Sequence, residues 1–225
     1  MFRKYEKTFR ITTPNYNVRG KLNLTKPEQK ALFAGKVQIT EKVDGANTAI
    51  IRGKGDKWTL QKRRGLADEG VHAQFSFFWN WARHNEEKIL KIPSGWIVYG
   101  ELCFAKHHVY YDMLPSYFLV FDVWDTGRYH EDSPAVANQL GFQHVPVLYD
   151  GYVDGMLDLE KFIGQSKLAS ESVMEGVVVK KLHKKNYVRG KLVRPEFMKD
   201  IEDEGHWMHR PYSKNILAST ATVYD

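Results

Sequence analysis

The chain has 225 residues, of which 33 are Lys or Arg and 27 are Asp or Glu, for a formal net charge of +6. Hydrophobic residues at 43% and charged residues at 27% are ordinary for a globular protein and exclude wholesale disorder. The single cysteine, Cys103, excludes an internal disulfide and a zinc-ribbon framework. The basic balance suits a polyanionic partner, and the lack of an apolar leader or membrane span predicts a soluble cytoplasmic protein.

The N-terminal third predicts one short helix followed by three strands. Thr25-Lys26-Pro27-Glu28 is a capping box with proline in the first turn, so a helix begins there and ends at Gly35. Val37-Gln38-Ile39 has the alternation of a strand, and residues 47–52 are rich in β-branched side chains. A glycine-containing turn pattern follows, so residues 57–63 are predicted to return as the hairpin partner of 47–52.

Helices and strands alternate irregularly over the rest of the chain. The predicted helices cover about 72–91, 133–141 and 157–169, and the predicted strands cover 96–102, 117–123 and 176–181. No internal repeat or Pro/Gly/Ser-rich linker separates these elements. The pattern therefore predicts a single α+β domain over residues 1–225, with mainly antiparallel sheets flanked by helices and a short C-terminal tail from about residue 200.

Lys42 stands between two predicted strands, in the segment Glu41-Lys42-Val43-Asp44-Gly45-Ala46-Asn47. Gly45 lets backbone or a ligand approach this position closely. An amine there can act as a nucleophile where low dielectric or nearby cations lower its pKa toward neutrality. Because so short a pattern is common by chance, this segment taken alone more often marks a lysine that flanks a hairpin turn.

Other chemically useful side chains lie at strand ends or within strands. Glu101 and Glu175 stand at two strand ends, and Phe121-Asp122 lies inside an apolar run. Cations cluster at residues 62–64 and in the tract 180–199. Taken singly, such carboxylates and charge runs are usually solvated, and such an aromatic is usually core. The basic tract interleaves with apolar residues, however, and phosphate recognition is the commonest reason to hold cations at the border of a core.

Six segments, taken in order, resemble the motifs of the covalent nucleotidyltransferase superfamily of ligases and mRNA capping enzymes, and most closely those of the RNA ligase 2 family. The segments are Lys42-Val43-Asp44-Gly45 (motif I), Gln61-Lys62-Arg63-Arg64-Gly65 (motif Ia), Tyr99-Gly100-Glu101 (motif III), Phe118-Leu119-Val120-Phe121-Asp122 (motif IIIa), Glu175-Gly176-Val177-Val178-Val179-Lys180 (motif IV) and Lys191-Leu192-Val193-Arg194-Pro195-Glu196-Phe197 (motif V). The opening Met1-Phe2-Arg3-Lys4-Tyr5 is also similar to the start of that family. Six motifs in the order that the family has them are a specific signal, because unrelated chance matches rarely occur in one given order along a chain.

The resemblance implies an ATP-grasp-like nucleotidyltransferase (adenylation) domain without an OB domain, acting as an ATP-dependent RNA ligase. Such an enzyme joins 3′-OH and 5′-phosphate ends in three steps. A lysine takes AMP from ATP and releases pyrophosphate, AMP passes to the RNA 5′-phosphate, and the 3′-OH then displaces AMP. The implied cofactors are ATP and Mg²⁺ or Mn²⁺, and the implied partner is RNA with these ends, a nicked duplex included.

The resemblance also implies a role for each matched side chain. Lys42 would carry AMP, while Lys180 and Lys191 would neutralise the α-phosphate and help to depress the pKa of Lys42. Arg63 would sit near the phosphate or the incoming 3′ end, and Phe121 would stack on adenine. The implied nucleotide-binding residues are Glu41, Lys42, Asn47, Arg63, Glu101, Phe121, Lys180 and Lys191. The implied metal ligands are Glu175, Asp44 and Glu101.

Alternative functions remain open at this stage. Motif V of the family commonly carries two lysines two apart, whereas residue 193 here is Val, and Arg194 is not a simple replacement for lysine. An ATP-dependent DNA ligase or a guanylyltransferase is the nearest alternative. Glu41 could accept a hydrogen bond from the exocyclic amine of adenine, which would favour ATP over GTP. An inactive nucleotide- or RNA-binding module is the alternative of another class, and only the altered motif V favours it.

The basic tract is predicted to follow the RNA backbone beside the active site. The predicted RNA-binding residues are Lys184, Lys185, Arg189 and Arg194. Each phosphate that they neutralise should add a little under one unit to the slope of log affinity against log salt.

Overall fold

The computed structural model describes residues 2–16, 22–70, 72–153, 156–181, 188–204 and 212–225. In chain order the strands are Phe9–Arg10 (β1), Val37–Glu41 (β2), Ala46–Arg52 (β3), Trp58–Lys62 (β4), Gly65–Leu66 (β5), Ile97–Leu102 (β6), Phe118–Trp124 (β7), Val147–Gly151 (β8), Gly176–Lys181 (β9) and Val188–Val193 (β10). The α-helices are Lys26–Phe33 (α1), Ala73–His84 (α2), Glu86–Lys91 (α3), Ser133–Gln139 (α4) and Pro195–Glu204 (α5), and a 3₁₀ helix covers Met156–Phe162.

The strands form two five-stranded sheets. The first has the order β1-β10-β9-β2-β8 and the second the order β5-β4-β3-β6-β7. Every pairing is antiparallel except that of β1 with β10, which is parallel. The α+β prediction with mainly antiparallel sheets is confirmed, as is the hairpin of β3 and β4.

Each sheet buries one face against helices. In the first sheet, alternate residues turn toward α1 and form a core with Leu32 that contains Val37, Ile39, Val177, Val179 and Leu192. In the second sheet, Phe118 packs against Phe78 and Trp81 of α2, at centroid distances of 5.2 Å to each ring. The opposite face of the first sheet carries mainly polar side chains. The opposite face of the second sheet carries a smaller apolar cluster, followed toward the strand ends by polar side chains such as Asn47 and Glu101.

Local signals set the helix boundaries, and two predicted helices are wrong in extent. The capping box of α1 is present, with the Thr25 N–H donating to Glu28 Oε2 at 2.7 Å. The helix predicted over 72–91 is two helices, because Asn85 breaks it and its Nδ2 donates to the Trp81 carbonyl at 3.0 Å. The helix predicted over 157–169 is a 3₁₀ helix that ends at Phe162. Within the described residues, no helix is long and apolar enough to cross a membrane.

Candidate active site

The two sheets face each other across a cleft lined by polar and charged side chains. Residues paired across neighbouring strands point to the same face of a sheet. In the first sheet, the face opposite the apolar core therefore carries Gln38, Thr40, Val178, Lys180, Arg189 and Lys191. In the second sheet, the facing set includes Asn47, Tyr99, Glu101 and Asp122. Ion pairs from Asp122 to Lys180 and to Arg189 join the two faces.

Lys42 directly follows β2 and is held beside the start of β9. Its backbone N–H donates to the Gly176 carbonyl at 2.9 Å, and its Nζ donates to Glu175 Oε2 at 2.5 Å. The Lys42 and Glu175 side chains are 21% and 8% exposed, so water screens this ion pair only weakly. A β-carbon on Gly176 would come within 2.0 Å of the Leu192 carbonyl oxygen, so glycine is needed where β9 begins. The fold thus brings motifs I and IV into direct contact.

Carboxylates, and not cations, dominate the electrostatics at Lys42. Burial lowers the pKa of Lys42, but Glu175, Glu101 and Asp44 together outweigh burial and raise the pKa above its ordinary value. The expectation that neighbouring lysines depress this pKa is therefore wrong in this structure. Lys42 is an ammonium at neutral pH, so it must lose a proton before it can attack an electrophile.

Glu101 of β6 lies on the cleft face, opposite Asn47 of β3. Its Oε1 accepts the Gly45 N–H at 3.1 Å. Burial, reinforced by Glu175 and opposed by Lys42, raises the pKa of Glu101 to about 8. Burial also raises the pKa of Glu175. Glu101 can therefore hold a proton close to neutral pH.

Asp44 is hydrogen-bonded to the loop that follows β6. Its Oδ2 accepts the backbone N–H groups of His108 at 2.7 Å and Val109 at 2.9 Å. Its own N–H donates to the Tyr111 hydroxyl at 2.7 Å. Among the described residues, no three His, Cys, Asp or Glu side chains form a group that could hold a metal ion. The predicted metal site of Asp44 with Glu101 and Glu175 is therefore not assembled as a three-carboxylate cluster.

Lys191 of β10 lies on the cleft face, partly buried beside cations from both sheets. Burial, together with the charges of Lys42, Arg10 and Arg63, lowers its pKa to about 8 against the opposing effect of Glu175. Arg63 is exposed in the turn between β4 and β5. The structure therefore brings the predicted residues Lys42, Lys191 and Arg63 into one electrostatic neighbourhood.

Lys180 and Arg189 belong to a buried ion cluster around Asp122. Lys180 Nζ lies 3.0 Å from Asp122 Oδ1, and Arg189 Nη1 lies 3.7 Å from Asp122 Oδ2. Their side chains are only 4% and 5% exposed, and that of Asp122 is 1% exposed. The Tyr5 hydroxyl also donates to Asp122. Lys180 is four residues along β9 from Gly176, about 13 Å at the rise of a strand, so it is not placed beside Lys42.

The burial of Arg189 also bears on its predicted role. Its guanidinium donates to the Glu6 carbonyl at 2.8 Å and stacks 4.0 Å from the centre of the Tyr5 ring. These contacts leave little of the side chain for an RNA backbone. Arg189 is better described as a buried link between β10 and the N-terminal segment.

Glu41 and Phe121 occupy different environments, since Glu41 ends β2 on the face of the apolar core, whereas Phe121 lies in β7 of the second sheet. Both oxygens of the buried Glu41 carboxylate are used, because Ser166 Oγ donates to Oε1 at 2.5 Å and the Lys167 N–H donates to Oε2 at 2.9 Å. Glu41 therefore anchors the loop after the 3₁₀ helix. Phe121 is partly buried, with its ring edge-on to Tyr5 at a centroid distance of 5.0 Å.

A second cleft, of about 320 Å³, is lined by His108 and Val109, whose N–H groups donate to Asp44, and by the predicted residue Arg194. Arg194 Nε donates to the Met174 carbonyl at 2.9 Å, and its Nη2 lies 3.6 Å from Asp200. The other polar groups of this cleft include Lys106, His108 and Ser172. Lys184 and Lys185 lie outside the described residues.

Three cleft residues were not predicted as site residues: Val178, Tyr5 and Arg10. Val178 pairs with both Thr40 and Lys191, so it faces the cleft between its two core-facing neighbours. Alternation within the valine run could have identified it. Tyr5 belongs to the opening segment that resembles the start of the family, but that resemblance assigned it no role. Arg10 carries no pattern signal, because β1 has only two residues.

The paired sheets, with a lysine between carboxylates in the cleft, are consistent with the nucleotidyltransferase class of fold. A family model described as RNA ligase matches residues 35–193, which is more than half of the chain. The chain therefore belongs to the RNA ligase family. No curated protein matched it in sequence.

Solved structures of a Naegleria gruberi RNA ligase have a similar fold. An apo mutant of that enzyme superposes with a TM-score of 0.65 at 18% identity, covering 89% of this chain and 58% of that one. A mutant with ATP and Mn gives a TM-score of 0.63 at 18% identity, covering 90% and 59% of the two chains. A third mutant, with AMP and Mn, gives a TM-score of 0.59 at 19% identity, with coverages of 79% and 55%. The present chain thus spans less than two thirds of that enzyme's length.

Proposed function

We propose that this member of the RNA ligase family is an ATP-dependent RNA ligase that joins 3′-OH and 5′-phosphate ends through lysyl-AMP and adenylylated RNA. The observation that carries the proposal is the ion pair of Lys42 with Glu175, set in a cleft where five of the six matched motifs meet. The fold that the chain shares with an RNA ligase whose structure was solved with ATP and Mn also supports it.

The first step would be attack of Lys42 Nζ on the α-phosphorus of ATP. A nitrogen–phosphorus bond forms, the bond to the bridging oxygen breaks, and pyrophosphate leaves with the electron pair. Because Lys42 begins as an ammonium, its proton must first move to a base. Glu175 is in direct hydrogen-bond contact with Nζ, and Glu101, whose pKa is about 8, can hold a proton in the same cluster.

The carboxylates at Lys42 also fit a divalent cation. Glu101 and Glu175 are pushed toward protonation by burial, so positive charge near them would be stabilising. Carboxylate oxygens and water are the ligands that Mg²⁺ and Mn²⁺ prefer. A cation held there would neutralise phosphate charge and compete with Lys42 for Glu175, which would make the amine easier to deprotonate.

Lys191 and Arg63 are the residues proposed to neutralise the α-phosphate as charge develops. Phe121 and Val178 are proposed to hold the adenine ring, because Phe121 is a partly buried aromatic residue of β7 and Val178 is an aliphatic residue on the cleft face of β9. Glu101 and Asn47 suit the ribose hydroxyls, since both lie on the cleft face. Lys180 and Glu41 would act through positioning: Lys180 by holding the sheets together, and Glu41 by fixing the loop at Ser166.

The second and third steps would use RNA bound along the basic surface. Arg194, at the second cleft, is the described residue proposed to contact the RNA backbone. Lys184 and Lys185 remain proposed RNA contacts. Transfer of AMP to the 5′-phosphate frees Lys42, and attack by the 3′-OH then expels AMP and forms the phosphodiester bond.

The experiment that tests this function combines labelling with sealing. The protein is incubated with α-labelled ATP or GTP and Mg²⁺, and then with matched nicked RNA and DNA duplexes. The expected result is label from ATP but not GTP and sealing of RNA, with Lys42→Ala losing the label and Lys36→Ala, which removes an exposed cation, keeping it. Label from GTP would indicate a guanylyltransferase, preferential sealing of DNA a DNA ligase, and nucleotide binding without label an inactive binding module.

A further inference from the structure

Arg10 lies on the cleft face but outside all the segments of this chain that resemble the family's motifs. The parallel pairing of β1 with β10 places Arg10 directly beside Lys191. Side chains paired in this way share a face, and neighbouring strands are about 4.8 Å apart. Ile11, the next residue, is buried in the apolar core on the other face, so alternation turns Arg10 toward the cleft.

The backbone around Arg10 is fixed on both sides. Its N–H donates to the Leu22 carbonyl at 2.7 Å, and its carbonyl accepts the Leu24 N–H at 2.7 Å. The Ile11 N–H donates to the Lys191 carbonyl at 2.8 Å, which ties β1 to β10. The position of Arg10 beside Lys191 is therefore set by the sheet and not by a flexible end of the chain.

Arg10 has no carboxylate partner within the described part of the chain. Among the described residues, the Arg10 side chain makes one hydrogen bond, from Nη2 to Met198 Sδ at 3.5 Å. A thioether sulfur is a weak acceptor. Lys191 likewise has no ion-pair partner among the described residues. Two adjacent, partly buried cations repel each other, and an anion bound between them would offset this repulsion.

We propose that Arg10, together with Lys191, binds a second phosphate group of the substrate, beyond the α-phosphate that Lys42 attacks. The inference rests on the proposed function and adds a subsite to it. The ligand chemistry is a phosphate that belongs either to the pyrophosphate end of ATP or to the 5′ end of the RNA. An arginine suits this role because its planar fork can donate two hydrogen bonds to phosphate oxygens, whereas lysine acts as a point charge.

The direct test measures phosphate binding without any reaction. Calorimetry compares inorganic pyrophosphate, a 5′-phosphorylated RNA oligonucleotide and the same oligonucleotide with a 5′-hydroxyl. The variants are Arg10→Met, Arg10→Lys and the control Lys7→Ala, which removes an exposed cation three residues earlier. Loss of a charge-assisted hydrogen bond should weaken binding by about 10- to 100-fold in Arg10→Met, with partial recovery in Arg10→Lys and no change in Lys7→Ala.

The arms of the experiment distinguish the source of the phosphate. Weaker pyrophosphate binding, with slower pyrophosphorolysis of the AMP-bound protein, assigns Arg10 to the leaving group of ATP. Weaker binding of only the 5′-phosphorylated RNA, with slower AMP transfer, assigns Arg10 to the RNA end. Thermal unfolding of each variant reports whether the fold is intact.

Two results would overturn the inference. One is binding of all three probes by Arg10→Met within twofold of the Lys7→Ala control. The other is a loss of pyrophosphate and RNA binding that accompanies a lowered melting temperature and is not relieved in Arg10→Lys. The proposed function fails separately, by absence of any ATP label on the unaltered protein, because the binding measurements do not depend on catalysis.

Discussion

Removing the carboxylate of Asp122 should strongly destabilise the protein, because Asp122 is the anion that two buried cations share. The side chains of Asp122, Lys180 and Arg189 are 1%, 4% and 5% exposed. Breaking a buried ion pair by removing one partner costs about 3–5 kcal/mol. For a domain of this size each kcal/mol lowers the melting temperature by about 2–4 °C, so Asp122→Ala should melt about 6–20 °C lower.

The matched control is Asp150→Ala, which removes the partner of the exposed Lys36. The Lys36 and Asp150 side chains are 51% and 42% exposed, so this pair should contribute less than about 1 kcal/mol. Both variants would be compared with the unaltered protein by thermal unfolding followed by circular dichroism. If Asp122→Ala melts as high as Asp150→Ala, the cluster does not hold the two sheets together. Lys180 would then be available for the phosphate role that the motif resemblance assigns to it.

Three further predictions concern the side chains of Glu175, Glu101 and Glu41. Glu175→Ala should slow lysyl-AMP formation at least about 100-fold, because a charge that acts in a desolvated site contributes about 3 kcal/mol. The control Lys199→Ala removes an exposed charge and should leave the rate within twofold in the same labelling assay. Because the pKa of Glu101 is raised to about 8 in the folded protein, the stability of the protein should fall as the pH rises from about 4.5 to 8. Glu101→Gln should flatten the dependence of the melting temperature on pH over this range. An unchanged dependence in this variant would contradict the claim that burial raises the pKa of Glu101. Glu41→Gln should lower the melting temperature by loosening the loop at Ser166; if it instead changes only the preference for ATP over GTP, Glu41 contacts the base.

Much of the cleft could be predicted because its residues fall in short, ordered motifs at strand ends. Lys42, Glu101, Glu175 and Lys191 were all identified through the resemblance of these motifs to a known family, and the structure places the four residues in one neighbourhood. Alternation and turn residues were also sufficient to predict the hairpin of β3 and β4.

Other features depend on contacts between segments that are distant in the chain. Lys180 and Asp122 are 58 residues apart, so nothing local indicates that they form an ion pair. The use of both Glu41 oxygens by Ser166 and Lys167 is equally non-local. The sign of the pKa shift of Lys42 depends on the balance between its burial and its electrostatic interactions with several carboxylates, which a motif does not encode.

The most direct measurement is mass spectrometry of peptides from the protein after incubation with ATP and Mg²⁺. The account predicts an AMP group on the peptide that contains Lys42, none after incubation with GTP, and loss of the group when 5′-phosphorylated RNA is added. Lys36→Ala should carry AMP normally, and Lys42→Ala should carry none. AMP found on another residue, or retained by Lys42→Ala, would contradict the assignment of Lys42 as the covalent nucleophile.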